Sequence, residues 1–185
     1  MTIGIVNPDG SRAEMSGNGT RIAAAWHMSR TGSAQAHVHV GPRTVVVRQT
    51  EDGLYESELG PVDVGASEVV DGIELTPVSV GNPHAVVVGD PDRIGELGPR
   101  LEENARFPER TNVQVVRVER PGEVTARVWE RGVGETTASG TSAVAVAAAT
   151  HPEGGDVVVS FPGGDLNVRL EGGRAWLIGP AERVR

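Results

Sequence analysis

Two stretches of this chain, 19–30 (GTRIAAAWHMSR) and 141–150 (TSAVAVAAAT), are alanine-rich helix formers that are nearly uniform in apolar character. A helix without a broad polar face has to be enclosed, so each is expected to lie buried inside a wrap of strands. The two also start alike. SGNGTRIAAA begins at Ser16 and SGTSAVAVAAA at Ser139, 123 positions apart, a spacing that points to two homologous halves and not to a solenoid.

Glycine and proline, 25 and 12 residues, divide the rest into short β-branched alternating runs. Strands are expected at 36–41, 44–49, 78–80, 85–88, 112–119, 123–130 and 156–161. A third helix, amphipathic and interrupted by Pro99, is expected at 92–104. The fold class is α+β.

Composition closes several kinds of chemistry. The chain has no cysteine, hence no disulfide, thiolate metal site or thiol nucleophile. All 17 basic residues are arginine, so no lysine amine can anchor pyridoxal phosphate as a Schiff base. A net charge of −8 argues against nucleic acid or an anionic membrane as partner, both of which require a basic surface. No apolar run approaches the roughly 18 residues that span a bilayer. MTIGIVNPDG lacks the pattern of a signal peptide, and a cytoplasmic location is expected.

The serine–glycine starts of the two helices read in two ways. Serine, threonine and asparagine cap free amides at helix N-termini as a matter of routine. The same turns expose several amides at the positive end of a helix dipole, which suits a carboxylate. Four other segments carry polar side chains in restrained backbone: NPDGSRAEMSGNG at 7–19, GNPH at 81–84, ERTNV around Asn112, and ERGVGETTASGT at 130–141. In GNPH, Pro83 forces Asn82 to be extended. Glu130 and Arg131 fall at a strand end with side chains on opposite faces if the strand continues, so one of the pair can face a ligand. His37 and His39 share one face of a strand, but no third metal ligand is near in sequence, and a solvated edge is the expected setting. His27 and His151 have no partners by spacing.

In order and spacing, NPDGS, MSGNG, GNPH, TNV and ERGVGETTASGT resemble the signature set of the diaminopimelate epimerase family, from near residue 1 to the closing GPAERV. The resemblance implies two pseudo-symmetric domains, each a β-barrel-like sheet wrapped around a central helix, with the ligand in the cleft between them. The halves would be 1–75, with the C-terminal strand a further candidate member, and 76–185. The first domain is expected to be incomplete, because the family carries further strands ahead of the position of Asn7.

The resemblance also implies site roles. Asn7, Asn82, Asn112, Glu130 and Arg131 match the groups that hold the distal amino and carboxylate ends of diaminopimelate. Gly17, Asn18, Gly140 and Thr141 match the helix-start amides that hold the reacting α-carboxylate. His84 and Glu130 match polar groups near the reacting carbon. Ser16 and Ser139 stand where the family has its two acid/base cysteines, and an unassisted serine is a far weaker acid than a thiol with its pKa of about 8.5. The implied chemistry needs no metal and no organic cofactor, and the implied partners are a small-molecule amino acid and a second copy of the chain. Three functions are consistent with this: an epimerase whose serines are helped by His84 or Glu130, a ligand-binding relative without turnover, and an enzyme for another amino acid.

Overall fold

Alternating β-branched runs favour pleated pairing, and they assemble into one large twisted sheet with three helices. The structure, a computed structural model, describes residues 1–6, 10 and 15–182; Asn7 and the segment 11–14 lie outside the described residues. In chain order the elements are β1 (Thr2–Ile3), α1 (Gly17–Thr31), β2 (Gln35–Val40), β3 (Arg43–Gln49), β4 (Tyr55–Pro61), β5 (Asp63–Val64), β6 (Glu68–Val70), β7 (Ile73–Ser79) and β8 (Pro83–Val88). They continue with a 3₁₀ turn at Pro91–Arg93, then α2 (Ile94–Glu102), β9 (Asn112–Arg120), β10 (Glu123–Glu130), β11 (Gly134–Thr136), α3 (Gly140–Thr150), β12 (Gly155–Phe161), β13 (Gly164–Glu171) and β14 (Arg174–Gly179).

The strand order is β1-β2-β3-β4-β14-β13-β12-β10-β9-β8-β7-β5, with β11 on β10 and β6 on β7. Most neighbours are antiparallel; β1–β2, β10–β12 and β8–β9 are parallel. The last strand, β14, returns to pair with β4, so the sheet runs unbroken from one half of the chain to the other. A boundary at 75/76 falls within β7.

The expected strands are present, four of them longer by one or two residues and β2 shifted by one, and 78–80 overlaps the end of the longer β7. Besides the short β1, β5, β6 and β11, three longer strands had no clear signal. In β4 the inward positions are Ser57 and Leu59, so a buried serine breaks the apolar alternation. In β13 and β14 the inward Leu166, Val168, Ala175 and Leu177 are separated by Asn, Arg and Trp. The third expected helix divides into the 3₁₀ turn and α2, and α2 continues through Pro99, which sits on its exposed face.

The two alanine-rich helices differ in burial. In α3 every residue from Gly140 to Ala148 is buried, with strands of the second half and β13–β14 around it. α1 is enclosed on one face only: Thr20, Arg21, Ala24, Ala25 and Met28 are buried, whereas Ile22 and Trp26 are 57% and 58% exposed. The expected all-round burial of α1 is thus corrected. Its last two turns, Trp26–His27–Met28–Ser29–Arg30, carry a polar stripe that α3 lacks, and Arg30 lies over the Trp26 ring.

The main core joins α1 and α3 to the inner face of the sheet. A second, smaller core lies on the outer face, where Ile94, Leu97 and Leu101 of α2 pack on Ala85, Val87, Val113 and Val115. β8 and β9 are therefore covered on both faces, which explains their near-continuous apolar runs. No helix of the described residues is long and apolar enough to cross a membrane.

These burials predict opposite responses on the two helices. Ala145→Leu, at a fully buried position of α3, is expected to lower unfolding free energy by about 1–3 kcal/mol through overpacking. Trp26→Ala is expected to change it by no more than about 0.5 kcal/mol. Denaturant titration of the two variants measures both.

Candidate functional site

The starts of α1 and α3 are built alike. Ser16 (φ −143°, ψ 114°) and Ser139 (φ −142°, ψ 128°) are extended N-caps, and each is followed by a glycine at the first helical position. Their hydroxyls differ in use. The Gly19 N–H donates to Ser16 Oγ at 3.0 Å, while Ser139 makes no side-chain capping bond.

The first-turn glycines bring the two helices into backbone contact. A Cβ on Gly17 would lie 3.1 Å from Gly140 Cα. One on Gly140 would lie 3.0 Å from Gly17 Cα, 3.2 Å from the Asn18 amide nitrogen and 2.6 Å from Leu177 Cδ2. Any side chain here would push the helix starts apart. Two positive dipole ends, each worth about half a charge, therefore meet with their free amides close together.

A cavity of about 150 Å³ opens at this meeting point. Ten of the twelve residues singled out in the sequence line it: Ser16, Gly17, Asn18, Asn82, Asn112, Glu130, Arg131, Ser139, Gly140 and Thr141. Ile5, Met15, Val133 and Ala138 supply its apolar wall. Asn7 lies outside the described residues. Glu130 and Arg131 both reach the cavity, because the chain leaves β10 at Glu130 in a turn closed by Val133 N–H to Glu130 O at 3.0 Å. An extended strand would have separated them.

His84 does not line the cavity. It is 1% exposed, one layer behind Asn82, where its Nε2 meets Asn82 Oδ1 and its Nδ1 meets Gln114 Nε2, both at 3.1 Å. Residues 82 and 84 point the same way along the strand, so Asn82 stands between the cavity and the ring, which is buried against Gln114 and the α3 side. Burial, the main cause, and the nearby Arg131 guanidinium push the imidazole down to about 3. It is neutral at physiological pH.

Two side chains clamp the Glu130–Arg131 turn from behind. Asn112 Oδ1 accepts the Arg131 N–H at 3.0 Å while its Nδ2 donates to Pro83 O at 2.8 Å. Glu102, buried at the end of α2, accepts from the Gly132 N–H at 2.8 Å and from Trp129 Nε1 at 2.7 Å, and pairs with Arg110 at 2.9 Å. On the other side of the cavity, Arg21 holds Asn18 Oδ1 at 3.1 Å and Pro180 O at 3.0 Å. Glu102, Gln114, Ser142 and Arg21 were not singled out in the sequence. Their signal is a polar residue inside an apolar stretch, as in NVQVV and GTSAVAV.

Elsewhere, His37 and His39 hydrogen-bond to Gln35 and Thr44 on the exposed face of β2. Among the described residues no three His, Asp or Glu side chains gather as a metal site.

Residues 76–184 match the sequence model of the family described as diaminopimelate epimerase. A diaminopimelate epimerase from Desulforudis audaxviator is 41% identical over 97% of this chain and 76% of its own length. One from Pseudomonas savastanoi pv. phaseolicola is 35% identical over 97% and 75%. In fold, the chain is similar to a predicted epimerase from Pseudomonas aeruginosa (TM-score 0.68, 18% identity, 96% of this chain and 75% of that one). It is also similar to a hydroxyproline epimerase from Agrobacterium vitis with bound trans-4-hydroxy-L-proline (TM-score 0.69, 15% identity, 96% and 66%).

Two outcomes follow from this geometry. Gly140→Ala is expected to lower stability by about 1–3 kcal/mol by wedging the helix starts apart. Gly95→Ala, where an added Cβ meets nothing within 4 Å, should leave stability unchanged or improve it, and paired thermal melts make the comparison. For His84 the folded value of about 3 lies below the ordinary 6.5. The stabilisation from keeping it neutral is thus complete above pH 6.5 and is lost as pH falls toward 3, at up to about 1.4 kcal/mol per pH unit. Denaturant titrations across that window should show a shallower loss for His84→Gln than for the parent.

Proposed function

Because the chain belongs to the diaminopimelate epimerase family, we propose that it interconverts the LL and meso forms of diaminopimelate by removing and returning a proton at one α-carbon. The observation that carries this reading is the meeting of two serine-capped helix starts at Gly17 and Gly140 around one polar cavity. Inversion requires an acid/base group on each face of the reacting carbon, and Ser16 and Ser139 are the matched pair of side chains at the two starts.

In this reading the α-carboxylate takes the amides of Gly17, Asn18, Gly140 and Thr141. When the α-proton leaves, the electron pair of the C–H bond spreads into that carboxylate, and the facing amides stabilise the added charge. One serine side receives the proton, and the other supplies one to the opposite face of the carbon. The distal end of the substrate falls to Asn82, Asn112, Glu130 and Arg131, where one carboxylate and one guanidinium suit the two ends of a zwitterion. Such an activity supplies precursors for lysine and peptidoglycan and belongs in the cytoplasm.

One feature favours a second reading, a ligand-binding relative with little turnover. Among the described residues no imidazole or carboxylate hydrogen-bonds to either serine hydroxyl; His84 is turned to Asn82 and Gln114, and Glu130 accepts from Thr136. A serine without a base is poorly matched to proton abstraction, and each unit of pKa mismatch costs up to about tenfold in rate.

Proton NMR of LL-diaminopimelate in heavy water separates the two. The parent is expected to exchange the α-proton slowly, and the Ser16→Cys/Ser139→Cys variant at least about 100-fold faster, from two or more units of better pKa match. Calorimetric binding with no exchange in the parent leaves the binding reading. No exchange even in the double cysteine variant overturns the epimerase reading.

A further inference from the structure

Behind the cavity wall a chain of side chains leaves the first turn of α3 and returns to it. Asn82 Nδ2 donates to Thr141 Oγ1 at 3.4 Å, and Asn82 Oδ1 meets His84 Nε2. His84 Nδ1 in turn meets Gln114 Nε2, which donates to Ser142 Oγ at 3.0 Å. Gln114 and Ser142 have no exposed surface, and Gln114 Oε1 is buried without a partner among the described residues.

The orientation of the Gln114 amide sets the direction of every bond in this chain. As it stands, its two N–H groups serve His84 Nδ1 and Ser142 Oγ, at the cost of one unsatisfied carbonyl oxygen. Turned over, it would leave two N–H donors without acceptors in a dry interior, and buried orphan donors are rarer and costlier than under-used carbonyls. With an N–H pointing at it, Nδ1 of a neutral His84 has to be the bare nitrogen, and the ring proton sits on Nε2. Nε2–H then needs an acceptor, which among the described residues the carbonyl oxygen of Asn82 provides. Asn82 is left with its NH₂ toward Thr141 and the cavity.

We propose that Gln114 is a positioning residue that, through the tautomer of His84, makes Asn82 a hydrogen-bond donor at the cavity wall. The opposite tautomer would accept from the Asn82 amide and turn its carbonyl oxygen to the ligand, repelling a carboxylate and favouring an ammonium. Glu130 is the one carboxylate among the lining residues described, so a donor at Asn82 makes the wall fit a ligand that carries more carboxylate than one zwitterion supplies. This consequence for ligand choice rests on the reading of the cavity as an amino-acid site; the tautomer does not.

The test has two arms. In ¹⁵N-histidine-labelled protein, with the His84 signals assigned by their loss in His84→Gln, Nδ1 is expected at the shift of an unprotonated nitrogen and Nε2 at that of a protonated one. A proton on Nδ1, or on both nitrogens at neutral pH, overturns the proposal. Gln114→Leu removes the donor while keeping the site apolar. It should show both tautomers and bind diaminopimelate about tenfold more weakly in calorimetry, the worth of one hydrogen bond to a charged group. Retention of the pure Nε2–H form, or of parental affinity, also overturns it. If the parent binds no diaminopimelate, the reading of the cavity fails, and the imidazole spectrum still decides the role of Gln114.

Discussion

Two helix N-termini meet backbone to backbone at Gly17 and Gly140, with Leu177 of β14 packed under both. Like dipole ends repel, so this arrangement is unfavourable by itself and has to be held by the surrounding packing. The closure of β14 onto β4 does much of that holding, because it carries Leu177 into place and ties the sheet around α1 to the sheet around α3. The same arrangement is what the proposed function draws on. Free first-turn amides of this kind suit negative charge, and in the proposed reaction they would need no reorganisation when charge develops on a bound carboxylate.

Around this contact the cavity is held largely by side chains that do not line it, with Asn112 the exception. Glu102 and Asn112 fasten the turn that presents Glu130 and Arg131; Arg21 fastens Asn18; Gln114 and His84 fasten Asn82. They come from α1, α2, β8 and β9, and Glu102 lies on the outer helix α2, on the far face of the sheet. A layer that packs against the outside of β8 and β9 thus takes part in positioning a turn on the inside.

The serines are where scaffold and chemistry separate. As N-caps, Ser16 and Ser139 do what serine does well, and the local backbone of the two is nearly superimposable in φ and ψ. As acid/base groups they depend on a partner to shift a high pKa, and the buried, neutral His84 is directed elsewhere. In the function proposed above, the paired helix starts therefore account for holding a carboxylate more fully than the two serines account for proton transfer.

Much of this was legible in the residues alone. Period-two alternation located β2, β3, β9, β10 and β12, and the repeated serine–glycine motif located the starts of both alanine-rich helices, because strand period and capping are local properties. The family pattern named ten residues that the structure brings to one cavity. What tertiary structure alone decided was set by contacts distant in sequence. Ser57 is buried in β4 because β3 and β14 flank it; α1 keeps one open face while α3 has none; Glu130 and Arg131 converge because Asn112 and Glu102 seize the turn between them. His84 is drawn away from the cavity by Gln114, thirty residues along the chain. A sequence states which groups need partners, but which partner each one finds is settled only when the sheet closes.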